Sequence, residues 1–251
     1  MTDPPITTVF RRAAAAEWTR LWTVRSTWWS LLAATAIMMF IGVAAGNDHN
    51  PGTPAPIWFA AEFAILPGQF GFLVAVLLAV TGEYSTGTIR GSLQWTPRRG
   101  VLFAARVLVP VAFATACAVV VAAVTDLVAW SLVGPDAEVV AGDITRSLAT
   151  IALVVAVGAL LTVGLGLLLR STAGTLTAIF LLMLVLPLVL IPPEVPWLSA
   201  IGEHLPGFAN MSLLRATDVD LAASTATIVL VSWTTAAVFA GGWALLRRDT
   251  A

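Results

Sequence analysis

The chain has 251 residues, of which 59% are hydrophobic and 11% charged, and its formal net charge is −1. A soluble domain carries roughly 25% charged residues, so this composition excludes an ordinary soluble globular protein and points to an integral membrane protein. All 13 basic side chains are arginine, a bias that fits a GC-rich bacterial genome, and the near-neutral balance gives no footing for a nucleic-acid partner.

In chain order, the first element is an amphipathic helix over residues 8–25. Phe10, Trp18, Leu21 and Trp22 gather on one side, while Arg12, Glu17 and Arg20 lie elsewhere. Tryptophan favours headgroup depth and arginine an anionic leaflet, so this helix is expected to lie in the cytoplasmic interface. The alternative is a plain extension of the helix that follows.

A helix needs about 20 mostly apolar residues to cross hydrocarbon. Six stretches meet that length: 26–46, 63–82, 107–125, 147–169, 171–193 and 221–246. They are continuous, which argues against the short alternating segments of a transmembrane β-barrel. The expected fold is all-α: one polytopic domain over 1–251 with six transmembrane helices. The first stretch is longer than the ~7–15 residue core of a signal peptide and starts too far into the chain, so it reads as an uncleaved anchor.

The second stretch contains "ILPGQFG". Pro67 removes a helical hydrogen bond, Gly68 and Gly71 permit close backbone approach, and Gln69 is polar within the membrane. Pro67, Gly68 and Gln69 are candidates for a cargo pathway, with helix packing as the competing reading. A polar loop, 83–100, follows. Ser85 or Thr86 can cap a short helix over 88–94, with Ile89 and Leu93 forming an apolar ridge and Pro97 ending it. The third stretch carries Pro110 and Cys117, the single cysteine, which suits a buried filler. Arg170 and Ser171 alone separate the fourth and fifth stretches, a tight hairpin, and Pro187 lies in the fifth. The segment 194–220 mixes apolar and polar residues, as short helices at the outer interface would.

Eleven arginines fall on one side of this scheme, at the amino terminus, in 83–106, at Arg170 and at Arg247 and Arg248, while Arg146 and Arg215 share the other side with eight acids. The positive-inside rule then places both termini in the cytoplasm.

Gly82 and Gly87 imitate the start of a phosphate-binding loop, but Thr88 and Ile89 follow where lysine and a hydroxyl residue are required, and the chain has no lysine. Nucleotide binding by this chain is not expected. His49 and His204 stand in separate loops without cysteine neighbours, and no catalytic or metal-ligating cluster is expected. Glu62 and Asp126 are the ionisable groups inside apolar segments, suspects by default. Asp126 lies roughly 30 Å along a helix from Arg106, so both acids should sit near the outer surface, solvated, paired or touching cargo.

With these residues in view, the chain resembles the type-2 permeases of ATP-binding cassette (ABC) transporters over its whole length. "EWTRLWTVRSTWW" is similar to that family's elbow helix. "GEYSTGTIRGSLQWTPRRGVLFAAR" is similar to its coupling-helix segment, matching at Glu83, Gly87, Thr88, Arg90, Pro97 and Arg99; Arg106 stands where relatives often carry lysine. "HLPGFANMSLL" resembles its extracellular helices. The resemblance implies a bacterial cell-membrane subunit that binds no cofactor itself. It would pair with a second permease subunit and with separate ATPase subunits, which bind ATP and magnesium, and would export a hydrophobic or amphipathic compound. The rival readings are an ion- or proton-coupled carrier, which usually places ionisable groups at mid-membrane, and a non-transporting anchor or sensor subunit.

Overall fold

Apolar segments that enter hydrocarbon must satisfy their own backbone N–H and C=O groups, and here they do so as helices. The computed structural model describes residues 5–50, 52–56, 58–86, 99–190, 196–214 and 221–248, with 83–86, 99, 196, 199 and 245–248 described by backbone alone. The helices are α1 (Ile6–Thr23), α2 (Arg25–Asn47), α3 (Phe59–Thr86), α4 (Arg99–Val133) and α5 (Ala141–Leu169). A sixth, α6, runs from Thr172–Phe180 through a π-helical turn, Leu181–Val185, into Leu186–Leu190. Two short helices, α7 (Pro196–Glu203) and α8 (Pro206–Leu213), precede α9 (Ala223–Arg248).

Six of these, α2 to α6 and α9, are long and apolar enough to cross a membrane, in accord with an all-α polytopic protein. The inner pair is α3 and α5, each with 67% of its most apolar stretch buried, against 22–33% for the other four. The remaining apolar surface faces outward, as expected where lipid replaces water around the bundle.

The element boundaries correct several expectations. Hydrogen bonding in α3 continues past Gly82 to Thr86, because neither proline nor glycine stands between Gly82 and Gly87. Glu83, Ser85 and Thr86 therefore belong to the last turn of α3 and not to the following loop. The short helix expected over 88–94 lies outside the described residues. The third span is longer than 107–125, since α4 starts at Arg99 and carries Asp126 well inside its outer turns.

Between α1 and α2 the chain breaks at Val24, whose backbone is extended (φ −86°, ψ 112°). The indole Nε1 of Trp28 donates to the Trp22 carbonyl across this break at 3.1 Å. The hairpin between α5 and α6 turns on Arg170, in the left-handed region at φ 52°. Ser171 then caps α6, its Oγ accepting from the Gly174 N–H at 3.2 Å. At the opposite end, the loops after α2 and α4 are joined. β1 (Ala55–Pro56) pairs in parallel with β2 (Ala137–Glu138), and the Gly52 N–H donates to Asp136 Oδ2 at 2.8 Å.

Helices α5 and α9 touch through backbone. A Cβ added at Gly164 would fall on the main chain of Ala237, and one at Gly241 would fall on the Gly164 carbonyl. Small residues let membrane helices approach in this way when no hydrophobic force drives them together.

Candidate functional site

The residues singled out by sequence fall into three places. The first is where α1 meets the bundle. Glu17 is buried on α1 between two guanidinium groups, with Oε2 3.7 Å from Arg20 Nη1 and Oε1 3.5 Å from Arg106 Nε on α4. Arg106 is 2% exposed; a charge this deep is held only when paired. Arg20 also reaches α3, where a Cβ on Gly82 would stand 3.3 Å from its Nη2. A wedge of rings completes the contact: Trp22 lies 4.9 Å from Trp28, and Trp18 packs edge-on against Phe113 of α4 at 5.7 Å. Thus α1 holds the last turns of α3 and the early turns of α4, the two helices that flank 87–98. Gly87, Thr88, Arg90 and Pro97 lie outside the described residues, while Glu83 and Arg99 are placed by backbone at the end of α3 and the start of α4.

The second place is an apolar groove of about 620 Å³ between α2, α3 and α6. Pro67 and Gln69 line it, with Phe70 and Phe180 stacked at 4.3 Å across it. Gly68 does not, since it turns to α2, where a Cβ would sit 2.6 Å from Met38 Cγ. Gln69 is 1% exposed; its Nε2 donates to the Leu66 carbonyl at 2.9 Å and its Oε1 accepts from Asn210 Nδ2 on α8 at 3.1 Å. Asn210 is fully buried, and its Oδ1 has no hydrogen-bond partner among the described residues. The wall behind the groove is irregular. Pro187 cannot donate to the Met183 carbonyl, and the preceding π-helical turn shifts that part of the ladder, with Leu186 N–H bonded to the Leu181 carbonyl. Gly207 of α8 sits directly against the Met183 carbonyl, so any side chain at 207 would collide with main chain.

The third place is the acid pair near the far ends of α3 and α4. Asp126 Oδ1 accepts from the Ala61 N–H at 2.9 Å, closing one of the open donors in the first turn of α3. Glu62 is buried beside it. Both acids are buried and neither lines the 620 Å³ groove. His49 lies nearby, 3.4 Å from Asp136 Oδ2.

Two of these contacts are not apparent from the sequence: Asn210 is one polar residue in a mixed apolar and polar segment, and Glu17 lies among the polar residues of α1. A signal existed for each: a lone carboxamide in "PGFANMSLL", and an acid on a helix of arginines.

The class that fold and site define is an all-α protein with six helices able to cross a membrane. No protein-family model matches the chain, and no curated protein is similar to it at a significant level.

Proposed function

We propose that the chain is the membrane-spanning permease subunit of a type-2 ABC exporter. In this reading both termini and residues 87–98 face the cytoplasm. Residues 83–100 dock onto a separate ATPase, two permease subunits pair, and the cargo is hydrophobic or amphipathic. The observation that carries the proposal is the Arg20–Glu17–Arg106 joint. Motion can pass between a docked ATPase and a helix bundle only through a rigid element that both states bias. A buried ionic joint that ties α1 to α4, with Arg20 and Leu21 packed against the end of α3, supplies such an element beside both flanks of 87–98. The apolar groove beside Gln69 supports a cargo of low polarity, and the outer position of Glu62 and Asp126 disfavours an ion-coupled carrier.

Affinity purification of the tagged chain from its native membrane tests this. A Walker-motif ATPase is expected to co-purify and to hydrolyse ATP in the complex. Recovery of the chain without any ATPase, under conditions that preserve membrane complexes, would overturn the reading.

A further inference from the structure

A second groove, about 760 Å³, lies between α1, α2 and α4. It follows α4 from Leu108 to Val121, about 20 Å at 1.5 Å per residue, which compares with the ~15 Å half-thickness of a bilayer's hydrocarbon core. Its lining is apolar, including Leu31, Phe72, Phe113 and Val121, and the Thr35 hydroxyl is already turned to the Leu31 carbonyl at 2.8 Å. Apart from the Trp18 indole N–H and the weakly polar Cys117 thiol, the lining offers no free hydrogen bond, so the occupant is mainly hydrocarbon.

Its volume is too small to enclose a partner helix. Spread over that length, 760 Å³ gives a mean cross-section of about 38 Å², roughly half of the ~80 Å² that a helix ~10 Å across requires. A flexible chain fits.

Charge identifies what the chain is attached to. Trp18 and Trp28 stand at the end of the groove where α1 joins the bundle, and indole rings favour headgroup depth. Arg25 precedes Trp28 by three residues on the same face of α2, and Arg11 precedes Trp18 by seven on the same face of α1. Both arginines are exposed, and neither has an ion-pair partner among the described residues. A guanidinium grips phosphate through paired hydrogen bonds. We infer that this groove is a binding site for an anionic phospholipid, with one acyl chain laid along α4 and the phosphate at Arg25, Arg11 adding to the attraction. The inference requires that the helices cross a bilayer and is independent of any ATPase partner.

Cys117, the single cysteine, lines the groove and reports on it. The purified full-length protein in neutral detergent is alkylated with a small maleimide, with added phosphatidylglycerol or phosphatidylcholine at equal mole fraction. Phosphatidylglycerol is expected to protect Cys117 at lower concentration than phosphatidylcholine, and Arg25→Gln to shrink that preference about fivefold. Ala112→Phe, which fills the groove, should remove one retained phosphatidylglycerol in native mass spectrometry while thermal stability reports that the variant is folded. Equal protection by the two lipids, or an undiminished preference in Arg25→Gln, overturns the assignment. So does protection that follows protein concentration in place of lipid, which would make the groove a contact between copies.

Discussion

The carboxamide of Asn210 donates to Oε1 of Gln69 at 3.1 Å, joining the short helix α8 to the middle of α3 across 141 positions of sequence. Both side chains are buried, so removing one partner strands the other in an apolar setting. Asn210→Leu is expected to cost about 1–3 kcal/mol, read as a lower midpoint of thermal unfolding in detergent. The double variant Gln69→Leu/Asn210→Leu should recover part of that loss, since neither polar group is then left behind. Strict additivity of the two single changes would show that the pair is not coupled.

Glu17 faces a different test. Arg106 is buried with Glu17 as an ion-pair partner, and breaking a buried pair typically costs about 3–5 kcal/mol. Glu17→Ala should therefore lower thermal stability strongly, and Arg12→Ala, an exposed change on the same helix, should leave it nearly unchanged. Similar midpoints for the two variants would remove the joint from the account of α1.

Docking of 83–100 onto an ATPase is checked by transport, ATPase activity and pull-down measured together. Loss of a hydrogen-bonded charge at a partly buried contact costs about 2–5 kcal/mol. Glu83→Ala and Arg90→Ala are accordingly expected to abolish transport, or to uncouple it from hydrolysis, with normal membrane insertion. Gly87→Val should act likewise by crowding the docked backbone. Full activity in both charge variants would reduce the segment to a topology signal.

Reporter tags check the orientation. Tags at residues 1 and 251 are expected on the cytoplasmic side, and a tag near Ala137 on the opposite side. Protease protection of either terminus from the wrong side would overturn the six-span arrangement.

What sequence made legible was whatever depends on neighbours along the chain. The apolar runs gave the six long helices, Arg170 and Ser171 gave the α5–α6 hairpin, and the mixed pattern of 194–220 gave short helices, seen as α7 and α8. Helix ends were harder, because an apolar window stops at the first polar residue while hydrogen bonding does not; α3 keeps its ladder through Glu83, Ser85 and Thr86. Pairings between distant helices were out of reach. Arg106 reads as one more flanking arginine until Glu17 of α1 is brought against it. Asp126 reads as an outer acid with no identifiable partner until the first turn of α3 arrives beside its carboxylate.

The seam between α5 and α9 places a constraint on the history of this sequence. Most contacts inside a protein tolerate drift, because a side chain that grows on one helix is accommodated by one that shrinks on the other. At Gly164 and Gly241 the obstacle to growth is main chain: the backbone of Ala237 in one case and the Gly164 carbonyl in the other. Main chain cannot be trimmed by substitution. A lineage that loses either glycine must move the helices apart, and no second change nearby restores the spacing except reversion.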